Sequence, residues 1–162
     1  MSDPRAAYTP LQGICHWIIA LLCAAEFPTA GAIHKVHIGR VFGLHDSTFD
    51  QLMAHAHEWG GWLILVLTAL LLLSRFRSGV PALPSGMRTW QRRAAHAAHA
   101  AIYAGLAALT FSGAIAMYAG RLGVLHVALT KVGIGLIGVH VAAASWHQLI
   151  RRDRLLWRMW PW

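Results

Sequence analysis

The chain has 162 residues, of which 57% are hydrophobic and only 12% charged, too few charges to cover a water-soluble domain. Its formal charge is +8, but the basic residues stand between apolar runs and do not interleave with exposed aromatics, which argues against a nucleic-acid partner. Composition therefore points to a protein of the lipid bilayer whose charges report its topology.

A membrane span needs about 20 apolar residues at a rise of about 1.5 Å each. Four such runs follow one another, at about 11–32, 52–74, 94–118 and 124–150, and they predict an all-α integral membrane four-helix bundle occupying 1–162 as a single domain. The first run holds Cys15 and Cys23, eight residues apart, which a helix separates by about 12 Å, too far for an intrachain disulfide. Glu26, Pro28 and Gly31 mark its end. The run follows Arg5 and closes on Ala30-Gly31-Ala32 as a signal peptide would, but His16 is out of place in a cleaved apolar segment, and the run is read as a retained helix. The second run is free of charge from Glu58 to Arg75. Gly120 and Gly123 are turn formers between the third and fourth runs, so these two helices are expected to be antiparallel neighbours.

Lysine and arginine in the connections set the orientation. Arg5, Arg75, Arg77, Arg88, Arg92, Arg93, Arg151, Arg152, Arg154 and Arg158 fall on one side, and only Lys35, Arg40, Arg121 and Lys131 on the other. Both termini and the second connection are thus expected in the cytoplasm, with the first and third connections in the periplasm of a bacterium and the helices in its inner membrane. Trp17, Trp90, Trp157, Trp160 and Trp162 suit an aromatic belt at the cytoplasmic interface, and Pro81 and Pro84 stiffen the second connection.

Eleven histidines carry the chemistry. An ionisable side chain at membrane depth has a functional reading by default, and haem iron is a partner that suits neutral imidazole. No Cys-x-x-Cys-His run occurs, so a haem would be held without covalent attachment, as haem b. His126 and His140 are 14 residues apart in the fourth run, which places them about 21 Å apart in depth and about 40° from a common face. His57 lies at the depth of His126 and His16 at the depth of His140, so two axial pairs and two haems b are expected: His57 with His126, and His16 with His140. His55 competes with His57, but two helical residues point about 200° apart and one alone can face the bundle. Gly60 and Gly61 in the second run, and Gly133, Gly135 and Gly138 in the fourth, leave room for a porphyrin or, equally, for close helix packing. Glu58 and Lys131 stand where they could tune the neighbouring haem.

A second group gathers at the cytoplasmic interface: His96, His99 and His147, close to Arg88, Arg92 and Arg93. Imidazoles that donate hydrogen bonds and relay protons suit a quinone head group, and a basic rim of this kind also suits phospholipid. On the other side, His34, Lys35, His37, Arg40 and His45 are placed in the first connection. They would steer a small anion inward, or form an ordinary loop balanced by Asp46 and Asp50.

These residues resemble the bacterial cytochrome b561 family over nearly the whole chain. Tyr8, Leu11-Gln12 and His16-Trp17 open the first helix, and His57 precedes an apolar run that ends in Arg75. Ala95-His96, His99 and Ile102-Tyr103 follow, then Gly138-Val139-His140-Val141-Ala142-Ala143-Ala144 with His147, and a tail of Asp153, Leu155-Leu156, Arg158-Met159 and Pro161. Where the family often has Trp-His-Glu, this chain has Leu125-His126-Val127. The resemblance implies a four-helix di-haem protein whose iron ligands are His16, His57, His126 and His140. It also implies an activity of the superoxide:ubiquinone oxidoreductase kind, with superoxide oxidised at the periplasmic face and ubiquinone reduced. His99 and His147 would be the quinone contacts, joined by Arg88 and His96, and the periplasmic basic residues the superoxide funnel. Other members of the family serve as electron-transfer subunits for a partner dehydrogenase or hydrogenase. A reading from a different class, a histidine-lined divalent-metal transporter, would want carboxylates in the spans, where only Glu26 and Glu58 stand.

Overall fold

In a computed structural model that describes residues 7–45, 47–83 and 86–160, the chain folds into four long helices and one short one. They are α1 (Pro10–Phe42), α2 (Thr48–Ser78), α3 (Thr89–Ala119), α4 (Gly123–Leu149) and α5 (Leu155–Arg158). Arg5, Asp46, Pro84, Pro161 and Trp162 lie outside the described residues, and so does the side chain of Arg40. The first four helices are long and apolar enough to cross a membrane. At 27 to 33 residues each and about 1.5 Å per residue, they outrun a hydrocarbon core of about 30 Å.

The largest departure from the sequence reading is at the end of the first span. Glu26, Pro28 and Gly31 do not end α1, which runs on to Phe42 with Pro28 inside it. Proline lacks the N–H that would donate to the Ala24 carbonyl, and helices in a membrane tolerate that loss. Here the Thr29 hydroxyl, one residue on, contacts the carbonyls of Ala25 and Glu26, both at 3.0 Å. His34, Lys35 and His37, expected in a loop, accordingly sit on the last turns of α1, and the connection shrinks to Gly43–Ser47.

Local chemistry sets the other ends. Thr9 and Gln12 form a reciprocal capping box at the start of α1, and Gly43 closes it in the left-handed conformation. The α3 to α4 turn is only Gly120–Leu122, and so tight that Leu122 itself takes φ 64. That strain costs about 1–2 kcal/mol and brings α4 back directly, with the Leu122 carbonyl accepting from His126 N–H at 2.9 Å.

The packing runs α1 on α2, α2 on α3 and α3 on α4, while among the described residues the backbone of α4 closes on neither α1 nor α2. Cys15, Ile19, Ile64, Leu71 and Leu106 form the main buried cluster, and Ala32, Val36 and Ala54 a smaller one. Both cysteines are free. Two polar ties pin the helices: Gln12, wholly buried, donates through Nε2 to the Gly79 carbonyl at 3.0 Å, and the Thr110 hydroxyl donates to the Gly61 carbonyl at 3.2 Å. Apolar side chains as exposed as Leu21 (70%) and Phe76 (86%) would be untenable in water at this density. They belong against lipid, and the chain is a multi-pass membrane protein. Beyond α4, Trp160 meets Trp17 and Trp157 with ring centres 6.0 and 6.4 Å apart, folding the tail back against the start of α1.

Candidate haem sites

Where α4 stands off from α1 and α2, histidines reach across. His57 of α2 and His126 of α4 face one another with ring centres 6.4 Å apart and planes at 86°. The Nδ1 atoms of both are already engaged. That of His126 lies 3.0 Å from the Leu109 carbonyl and 3.2 Å from the Ser112 hydroxyl of α3. That of His57 lies 2.6 Å from a Glu26 carboxylate oxygen and 3.2 Å from the Thr29 hydroxyl of α1. An Nδ1–H fixed in this way leaves Nε2 with its lone pair free for a metal. His55 points elsewhere: its side chain is 63% exposed and lies 3.7 Å from Glu58.

At the other end, His16 of α1 and His140 of α4 have ring centres 6.2 Å apart. His99 of α3 comes closer still to His140, at 5.1 Å, but its Nδ1 contacts the Ala95 carbonyl at 2.7 Å. Arg75, at the end of α2, lies over the rings of Tyr8 and Tyr103 at 5.6 and 5.4 Å.

The two separations can be compared with what one metal held from both sides requires. A metal–imidazole bond of about 2.0 Å, with the ring centre about 1.1 Å behind its nitrogen, sums to about 6.2 Å between ring centres. Both pairs have that spacing. A Cβ added at Gly61, Gly135 or Gly138 would meet nothing within 4 Å. Gly60 and Gly113 are different. A Cβ at Gly60 would run into the Glu26 carboxylate, and one at Gly113 would stand 3.0 Å from the His126 ring. A bare divalent ion calls for three or four protein donors, and no such group of histidine, cysteine, aspartate or glutamate occurs among the described residues. The donor set thus suits a group that supplies its own equatorial ligands, as haem does.

His147 contacts Asp153 at 2.5 Å, His96 and Arg88 are exposed, and the ring of His99 lies 5.1 Å from that of His140. Glu58 accepts from the Tyr118 hydroxyl and Lys131 is exposed, so neither is the group that meets His57. That group is Glu26, which in the sequence looked like the marker of a helix end. Its signal was there to be read: a lone carboxylate in an apolar run needs a partner at membrane depth. On the opposite rim Lys35 pairs with Asp50 at 3.1 Å, while His34, His37 and His45 are exposed.

The family model described as prokaryotic cytochrome b561 matches residues 7–162. Cytochrome b561 homolog 1 of Escherichia coli (strain K12) is 26% identical over 177 residues, covering 95% of this chain and 97% of that protein.

Proposed function

This chain belongs to the prokaryotic cytochrome b561 family, and we propose that it is a di-haem electron-transfer protein of the bacterial inner membrane that oxidises superoxide and reduces ubiquinone. The observation that carries the reading is the presence of two opposed histidine pairs at two depths, each with the spacing of a doubly ligated metal. His57 with His126 would hold one haem b by its iron, and His16 with His140 the other. When bound, haem b supplies a reversible one-electron couple.

The protein's own part is to bind, orient and insulate. Leu109 and Ser112 hold the His126 ring, Glu26 and Thr29 hold that of His57, and the surrounding helices present their apolar faces to lipid. With both termini cytoplasmic, the His57 end faces the periplasm. There His34, His37 and Arg121 are exposed, and an anion arriving at that face would meet them, although Lys35 is already paired with Asp50. The overall reaction balances without a further reactant: two superoxide anions become two dioxygen molecules, and one ubiquinone takes up two electrons and two protons. At the cytoplasmic end His99, beside His140, is the candidate contact for the quinone head group, with His147, His96 and Arg88 further candidates around it.

The purified protein in detergent, given superoxide and ubiquinone alone, is expected to form quinol at half the rate at which superoxide disappears. Quinol formation that requires an added dehydrogenase would overturn this reading and favour an electron-transfer subunit.

A further inference from the structure

The two histidine pairs differ in the charge placed around them. Beside His57 stands a carboxylate: Glu26 contacts its Nδ1 at 2.6 Å, with the Thr29 hydroxyl completing the set at 3.2 Å. Glu26 is held there by shape as well as by hydrogen bonding, since residue 60, against which it packs, has no room for a Cβ. A carboxylate that accepts the Nδ1–H makes the imidazole a stronger electron donor to its metal, which stabilises the oxidised state. Opposite, His126 has only a carbonyl and a hydroxyl on its Nδ1, so Glu26 is the charged group in contact with this pair.

The other pair has the reverse surroundings. Arg75 lies 18 residues beyond His57 on α2, which is five turns, so it occupies the same face of the helix at the opposite depth. Its guanidinium lies over Tyr8 and Tyr103, and its Nε is buried without a hydrogen-bond partner among the described residues. Tyr103, which it covers, has its ring centre 6.3 Å from that of His99, and His99 in turn stands 5.1 Å from His140. A poorly solvated cation favours the state with one more electron. Asp153, the one carboxylate in this region among the described residues, is taken by His147.

We infer that Glu26 and Arg75 are a pair of potential-setting residues that make electron movement from the His57/His126 site to the His16/His140 site downhill. This rests on the haem ligation proposed above. One electron leaves the first site and one arrives at the second, with no bond broken and no proton required. Neither residue is catalytic, since each acts through the histidines beside it.

The test is an anaerobic redox titration of the holoprotein followed by visible and EPR spectra, with haem per chain counted on every sample and the two couples assigned with His57→Ala. Glu26→Gln removes the charge but keeps a hydrogen-bond acceptor. It is expected to raise the potential of the His57/His126 couple, changing its equilibrium constant about tenfold, which is about 59 mV for one electron. Arg75→Gln is expected to lower the other couple by a similar factor, and Glu26→Asp to keep the wild-type value. Two haems with both couples unmoved in the charge-removing variants would overturn the inference and leave the ligation standing. Fewer than two haems in the wild type would overturn the ligation itself. If Glu26→Gln fails to retain its haem, the Arg75→Gln couple decides alone, and an unmoved value there overturns the inference.

Discussion

Gly113→Ala would set a methyl group against the ring of His126. The new Cβ would stand 3.0 Å from Cε1 and 3.2 Å from Nδ1, whereas carbon atoms rest at about 3.5–4.0 Å, so the ring must retreat by about 0.5 Å or more. It has little freedom to do so, because Nδ1 is tied to the Leu109 carbonyl at 3.0 Å and to the Ser112 hydroxyl at 3.2 Å, both on the helix that carries Gly113. Retreat weakens both contacts, and hydrogen bonds of this kind contribute about 0.5–1.5 kcal/mol each. Disturbing the partners of a metal-ligating histidine weakens metal binding by about 10–100-fold. Haem titration of the apoprotein, read by the Soret band, is expected to show that loss at one of two sites, with a shift from the low-spin spectrum of that site. Gly31→Ala is the control, since its Cβ would meet nothing within 4 Å. Equal haem affinity and an unchanged spectrum in both variants would refute the reasoning.

Two further outcomes follow from the same geometry. Gln12→Ala removes a wholly buried side chain whose Oε1 accepts from the Thr9 N–H at the start of α1 and whose Nε2 donates to the Gly79 carbonyl; a loss of about 2–3 kcal/mol is expected, visible as a lower midpoint in thermal unfolding in detergent with the haem spectrum retained below it. If superoxide is drawn in by charge, its oxidation rate should fall as ionic strength rises from about 0.01 to 0.15 M, because the screening length drops from about 30 to 8 Å; a rate independent of salt would remove steering from the account.

The sequence carried the four apolar helices openly, because lipid demands apolar runs of fixed length, and the depth rule already matched His16 with His140 and His57 with His126. It hid the features that depend on how helices meet. Proline at 28 reads locally as a stop, yet α1 passes through it, as helices set in a membrane can. Because α1 continues, His34, Lys35 and His37, assigned to a loop, became helical. Glu26 and Arg75 looked like a boundary marker and a topology charge, since His57 is 31 residues from Glu26, and Tyr103 and Tyr8 are 28 and 67 residues from Arg75 along the chain. Likewise, nothing in the spacing of His96 and His99 says which of them turns toward His140; the angle at which α3 packs decides it.

Whether two haems are each held by one of these histidine pairs is decided by a pyridine haemochrome count per chain on the purified wild type beside His57→Ala and His140→Ala. Two haems are expected in the wild type and one in each variant, with a different spectral component missing from each; a wild type with one haem or none, or a variant that keeps both, would overturn the paired ligation.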